Sequence, residues 1–217
     1  MALSRNARRL VVPLAAVAFL ALWDSPVVFP LKVFVVFLHE LSHGLAAILT
    51  GGSIERIELS VHEGGFCITR GGWRFVVASA GYLGSLAWGA ALLLLGARGR
   101  SGRLVLGFVG FVFLAATVLF VRNLFGISYG LVAGSALLLC AVRLSPSAND
   151  VLTKVLGATS CLYAVWDIGS DTLSRSVAGS DATTLARMTG IPGVIWGVLW
   201  IAIALAVTAW CFARASR

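Results

Sequence analysis

Long runs without a charged residue dominate this sequence and restrict what it can fold into. An α-helix needs about 20 apolar residues to cross the hydrocarbon core of a bilayer, and several runs approach or reach that length. Only 12% of the residues are charged, whereas a soluble domain has about 25%. The mean hydropathy is +0.95. This composition excludes a soluble globule, a disordered chain and a disulfide-stapled secreted domain, and it predicts a polytopic membrane protein.

The positive charge of the chain does not indicate nucleic-acid binding. Seventeen Lys and Arg residues against nine Asp and Glu residues give a net charge of +8. The arginines stand mostly in short clusters between apolar runs, where such residues flank membrane spans. We therefore expect the lipid bilayer as a partner and no nucleic acid. The four cysteines are scattered and form no Cys-x-x-Cys pair, a pattern that favours buried apolar side chains.

The apolar runs predict an all-α polytopic membrane protein with about six to seven transmembrane helices and a small β-hairpin insertion, in a single integral membrane domain over residues 1–217. The predicted helices cover residues 10–23, 31–50, 75–97, 104–121, 123–142, 151–168 and 188–213. The first of these is short for a span. The polar segment 168–187 predicts a loop, with or without a short helix.

Residues 53–74 interrupt the apolar pattern. Apolar side chains alternate with polar ones on both sides of Gly64 and Gly65, and this pattern is typical of a β-hairpin with a glycine turn. Lipid cannot form hydrogen bonds with the free edge of a sheet. We therefore expect the hairpin to lie against protein or at the membrane interface.

The second predicted helix contains the pattern His-Glu-x-x-His, formed by His39, Glu40 and His43. Residues four apart lie on one face of a helix, so both imidazoles can bind one Zn²⁺ ion. Glu40 is next to the first ligand, where it can act as a general base on water and later as an acid. An unpaired charge in the membrane costs at least about 2.5 kcal/mol. The alternative is a polar contact between helices.

A catalytic zinc site needs a third protein ligand, and the sequence offers several candidates. Asp167 is favoured because it extends an apolar run and has aromatic and apolar neighbours. Asp171 is the alternative, since it is four residues further on and could share the same helix face. A helix-end residue that pairs with an arginine is the other interpretation of Asp167. The remaining candidates, for which a surface, turn or cap position is the simpler interpretation, are His62, Asp24 and Asp150.

The HELSHG stretch in an apolar span, followed by a glycine-turned hairpin, resembles the site-2-protease class of intramembrane zinc metalloproteases, peptidase family M50. Four further stretches resemble its bacterial M50B-like branch. They cover residues 79–95, 121–126 (VRNLFG), 166–171 (WDIGSD) and 180–200. The resemblance extends over residues 34–200.

This resemblance implies a zinc metalloendopeptidase that cleaves membrane-protein substrates within or beside the bilayer, in the bacterial plasma membrane. His39 and His43 match the family's zinc ligands, and Glu40 matches its general base. The family's third ligand lies in an Asp-Gly motif that is often preceded by Asn, and this chain has no Asp-Gly. Asn123 matches the asparagine of that motif, and Asp167 takes the place of the missing ligand by inference.

Two other functions compete with proteolysis. The first is a non-catalytic membrane scaffold or regulator that keeps the fold. The second is a small-solute transporter that uses His and Asp as a relay. Glu40 discriminates among them, because a structural zinc site needs no base beside its ligand, and a transporter needs no histidines four residues apart.

Overall fold

The computed structural model describes residue 14 and residues 16–23, 25–62, 64–99, 101–174 and 179–216. Six helices in this part of the chain are long and apolar enough to cross a membrane. They are α1 (Phe29–Leu49), α2 (Arg74–Ala97), α3 (Gly102–Phe120), α4 (Leu124–Arg143), α5 (Pro146–Gly169) and α7 (Gly193–Ala215). The strands β1 (Ser53–Leu59) and β2 (Gly65–Arg70) follow α1, and the short helix α6 (Asp181–Thr189) precedes α7. The predicted fold class is confirmed.

The polar segment between the last two spans is more ordered than the prediction of a loop. Helix α5 continues into a π-helical turn, Ser170–Ser174, and α6 follows it. The helix predicted over 188–213 begins only at Gly193. Gly190 ends α6 in the left-handed conformation, with φ of 75°, and Pro192 stands directly before α7. Of the predicted first helix, residue 14 and residues 16–21 are helical, residues 22 and 23 form a turn, and residues 10–13 and 15 lie outside the described residues.

Helix α1 is the central helix of the bundle. Of its most apolar 18 residues, 78% are buried in protein, against 28% for α4 and for α7. Most of the α4 and α7 surface is therefore available to lipid, whereas α1 contacts other helices on most of its faces. Polar side chains on α1 thus lie within protein rather than in hydrocarbon, which reduces the cost of placing them at membrane depth.

Helices α2 and α5 approach each other closely beside α1. A Cβ atom added to Gly157 on α5 would lie 2.7 Å from Leu93 Cα, and one added to Gly89 on α2 would lie 2.8 Å from Cys161 N. Small residues that let two backbones approach in this way are typical of membrane helix packing. This contact fixes the end of α5 next to α1 and α2, where the polar residues of the bundle collect.

The hairpin packs on α1 through a second close contact. Its strands are antiparallel, with Leu59 opposite Gly65 and Ile57 opposite Cys67. A Cβ atom on Gly44 of α1 would lie 2.8 Å from Ile54 Cγ1, so this glycine lets the Ile54 side chain of the hairpin pack directly against the α1 backbone. The hairpin lies against protein, as the argument about sheet edges in lipid requires.

Candidate active site

Two imidazole nitrogens and one carboxylate converge at the centre of the bundle. His39 Nε2 lies 3.3 Å from Asp181 Oδ2, and His43 Nε2 lies 3.2 Å from Asp181 Oδ1. The ligand atoms of these three residues all lie within 4.8 Å of one another. The histidines belong to one face of α1, whereas the aspartate comes from the start of α6.

Asp181 reaches this point because of how α6 begins and packs. Ser180 is the N-cap of α6, and its hydroxyl accepts a hydrogen bond from Thr183 N at 3.3 Å. Ala182 and Leu185 are buried and anchor the helix in a cluster with residues of α2, α5 and α7. Burial alone would raise the pKa of Asp181, but the imidazoles of His43 and His39 hold that pKa well below its ordinary value. The carboxylate is therefore ionised.

The other nitrogen of each imidazole faces a protein acceptor. His43 Nδ1 lies 2.7 Å from the carbonyl oxygen of Val77 on α2. His39 Nδ1 lies 3.9 Å from Asp167 Oδ2, which is longer than a hydrogen bond. A metal-binding histidine is commonly oriented through its second nitrogen by a carbonyl or a carboxylate. Both Nε2 atoms are thus free to face Asp181.

The structure brings Asp181 to the two Nε2 atoms. The two acids that the sequence favoured, Asp167 and Asp171, do not reach them. Asp167 lies beside His39 on the Nδ1 side, since it is at the end of α5. Asp171 lies in the π-helical turn and accepts a hydrogen bond from the Tyr82 hydroxyl at 2.9 Å. Both acids line the same cavity as the histidines, but neither the apolar surroundings of Asp167 nor the spacing of Asp171 indicated the carboxylate that converges on the Nε2 atoms.

The remaining candidates do not converge on the two Nε2 atoms, although His62 lines the same cavity. His62 is exposed in the turn of the hairpin. Asp150 accepts a hydrogen bond from Gly102 N at 2.9 Å and so links α5 to the start of α3. Asp24 lies outside the described residues. The sequence did contain a signal for Asp181, because Ser-Asp followed by Ala-Thr-Thr-Leu is typical of a helix N-terminus.

The converging residues fit a zinc ion. Two ligand atoms at 2.0–2.2 Å from a tetrahedral ion are about 3.3–3.6 Å apart. The separations of 3.3 and 3.2 Å lie at the lower limit of this range and just below it. Asp181 Oδ2 and His39 Nδ1 are buried and have no hydrogen-bond partner among the described residues. A Cβ atom on Gly81 would lie closer than 3.0 Å to both Nε2 atoms and to Asp181 Oδ2, so this glycine leaves the space between the donors open.

Glu40 lies between the histidines and the hairpin. Its side chain is only 6% exposed, and it shares with His39, His43 and Asp181 a cavity of about 1020 Å³. Residues of strand β2 also line this cavity. Burial, and then the nearby Glu40, raise the pKa of the Cys67 thiol on β2 to about 12.

The two edges of the hairpin differ. On the β1 edge, Ile57 O accepts a hydrogen bond from Arg122 N at 3.0 Å. The side-chain amide of Asn123 accepts from Leu59 N at 3.1 Å and donates to Leu59 O at 2.6 Å, as a neighbouring strand would. Backbone groups alternate in direction along an antiparallel strand. Gly65 and Cys67, opposite Leu59 and Ile57, therefore direct their N–H and C=O groups away from β1, towards the cavity side.

The apolar helices and the buried His-Glu-x-x-His motif define a polytopic membrane protein with the motif of a metallopeptidase. Residues 12–211 match the Peptidase M50B-like family, and the chain belongs to this family. Comparisons with curated proteins and with solved structures find no match. The resemblance inferred from the HELSHG stretch is thereby confirmed at the level of the family.

Proposed function

We propose that this protein is an intramembrane zinc metalloendopeptidase of the bacterial plasma membrane, which hydrolyses peptide bonds of membrane-embedded substrates. The principal support is the convergence of His39, His43 and Asp181 beside Glu40, in a cavity enclosed by helices of membrane-spanning length. Membership of a peptidase family supports the same conclusion.

In this proposal His39, His43 and Asp181 hold the zinc ion, and Asp167 is a second carboxylate that faces His39. Bound zinc would supply Lewis acidity, which polarises a carbonyl group and makes water more acidic. The Val77 carbonyl keeps His43 Nε2 directed at the site, since it accepts the proton on Nδ1. Asp167 has the corresponding position for His39, at 3.9 Å.

Glu40 is the general base in this proposal. It accepts a proton from the water that attacks the scissile carbonyl, and it returns a proton to the amine nitrogen of the departing peptide. A glutamate has this role only if it is close to the donors without being one of them. Glu40 meets this condition, since it lines the same cavity and adjoins His39 in the chain.

The substrate segment binds in this proposal as an extended strand along β2. A helix must unwind before its peptide bonds become accessible, and an extended segment can add to an open sheet edge through backbone hydrogen bonds. The β1 edge is occupied by Arg122 and Asn123. Gly65 and Cys67 are left to pair with the substrate, directly beside Glu40.

The substitution Glu40→Gln tests this proposal. It keeps the size of the side chain and some of its hydrogen bonding but removes the base, so zinc should stay bound while cleavage falls about 10²–10⁴-fold. Cleavage of co-expressed single-span membrane proteins and zinc content of the purified protein should be measured in parallel. Glu55→Gln is the matched control, because Glu55 is exposed on β1 and pairs with Arg70 at 2.7 Å.

Equal cleavage by wild type and Glu40→Gln would reject Glu40 as the base. If neither protein cleaves any of the substrates while both hold zinc, a non-catalytic scaffold explains the chain better than a protease.

A further inference from the structure

The side chain of Glu40 is in direct contact with the backbone of the hairpin at Gly65. A Cβ atom on Gly65 would lie 2.9 Å from Glu40 Cγ and 3.0 Å from Glu40 Oε1. It would also lie 3.0 Å from the carbonyl oxygen of Glu58 on the adjoining strand. The gap between β2 and α1 therefore has no room for even a methyl group.

Backbone conformation does not explain why position 65 is a glycine. Gly65 begins strand β2, and it is not one of the glycines with a positive φ. Its neighbour Gly64 has no atom within 4 Å of the position that a Cβ would occupy. Two adjacent glycines thus differ completely in their surroundings, and only Gly65 approaches the proposed base.

The hairpin cannot easily move back to relieve such a contact. Gly65 is paired across the sheet with Leu59. The backbone N–H and C=O of Leu59 are both bonded to the Asn123 side chain, which stands just before α4. Breaking hydrogen bonds to buried backbone costs about 1–3 kcal/mol for each group left unsatisfied. A side chain at position 65 would therefore displace Glu40 before it displaced the strand.

We infer that Gly65 is a positioning residue for Glu40: its bare backbone, held in place by Leu59 and Asn123, sets where the Glu40 carboxylate stands relative to the metal-binding residues. The inference rests on the proposed function of Glu40 as the base. The same contact joins the base to the first residue of the open β2 edge. Gly65 therefore determines the position of the base and also begins the strand with which the substrate would pair. Gly65 acts through Glu40 and does not itself take part in the chemistry.

The test compares Gly65→Ala with Gly64→Ala in the full-length protein. A misplacement of about 1 Å can cost about 10²-fold in rate, so Gly65→Ala should lower kcat by about that factor while KM and zinc content stay unchanged. Gly64→Ala should match the wild type. Infrared difference spectra against Glu40→Gln isolate the Glu40 carboxylate band. This band should shift in Gly65→Ala and not in Gly64→Ala, a result that a merely structural role would not give.

A third variant separates the contact from general damage to the hairpin. Alanine lacks both the Cγ and the Oε1 of glutamate, so in a Glu40→Ala background the added methyl group no longer meets the side chain at position 40. Gly65→Ala should then cost little further stability, measured as the unfolding temperature of the double variant against that of Glu40→Ala alone. If Gly65→Ala alone does not fold, the double variant should fold, and a double variant that also fails to fold overturns the inference.

The remaining outcomes are equally distinct. A raised KM with unchanged kcat and an unshifted carboxylate band would mean that Gly65 acts on the substrate strand, and this overturns the inference. Full activity of Gly65→Ala with an unshifted carboxylate band would also overturn the inference, but it would leave the proposed protease function intact. If the wild type cleaves no substrate but the band shifts in Gly65→Ala alone, the protease proposal fails and the positioning contact stands.

Discussion

The candidate site is assembled from two regions of very different origin. His39, Glu40 and His43 belong to one turn of α1, so their mutual placement follows from helix geometry alone. Asp181 arrives from α6, far along the chain, and its placement depends on the packing of that short helix. The first region is determined locally, and the second only by the completed fold.

The difference is visible in how each region is held. Helix α1 is surrounded by protein, and the Val77 carbonyl fixes His43. Helix α6 has only nine residues, of which Ala182 and Leu185 are buried. We therefore expect the proposed ligands on α1 to be essential for metal binding, and the proposed ligand on α6 to be sensitive to changes in packing.

The largest effect is expected from the local region. Replacing either His39 or His43 by Ala removes one of two neutral nitrogen donors, and the purified protein should lose its zinc, which metal analysis measures directly. His62→Ala is the control: His62 lines the same cavity but is exposed in the hairpin turn and does not converge with His39 and His43, so its loss should not affect zinc. Stoichiometric zinc in the double variant His39→Ala/His43→Ala would end the assignment of the site.

The next effect separates the two acids. Asp181→Asn removes a carboxylate that lies 3.2–3.3 Å from both Nε2 atoms, so zinc should be largely lost. Asp167→Asn changes only the group that faces His39 Nδ1, and such outer groups usually contribute about 10–100-fold in affinity. Competition with a chelator at graded concentrations measures both variants. The reverse order would restore Asp167 as the third ligand, as the sequence analysis favoured.

These two regions also show what sequence alone could predict. The apolar runs predicted a helical membrane protein, and the alternation around Gly64 and Gly65 predicted a hairpin; the structure contains both. Helix periodicity predicted that His39 and His43 share a face. Each of these signals lies within about twenty residues, where the period of the backbone determines which side chains are neighbours.

The distant part of the site lay beyond such signals. Asp167 and Asp181 both enter the same cavity, but which of them reaches the Nε2 atoms depends on how α6 packs on α2 and α7. The role of Asn123 could not be predicted from the sequence either. Sequence matched it to a family motif, whereas the structure shows its amide bonded to both backbone groups of Leu59. No periodic pattern connects residues so far apart.

The smallest predicted effect tests whether the position of α6 limits metal binding. Ser180 caps α6 directly before Asp181, and Ser145 caps α5 with a similar hydrogen bond to Ala148 N, also 3.3 Å long. Replacing a serine cap by Ala costs about 1 kcal/mol. Both variants should therefore unfold at slightly lower temperature, and by similar amounts.

Only one of the two caps is next to a proposed ligand. If the stability of α6 falls by about 1 kcal/mol, the position of Asp181 at its first residue is destabilised by the same amount. Ser180→Ala should therefore weaken zinc binding by up to about fivefold. Ser145→Ala should leave zinc affinity unchanged, because its helix end lies far along α5 from Asp167. Affinity lowered equally in both variants would show that metal binding follows the stability of the whole bundle. Affinity lowered in neither would show that the packing of Ala182 and Leu185, without the cap, is enough to place the carboxylate.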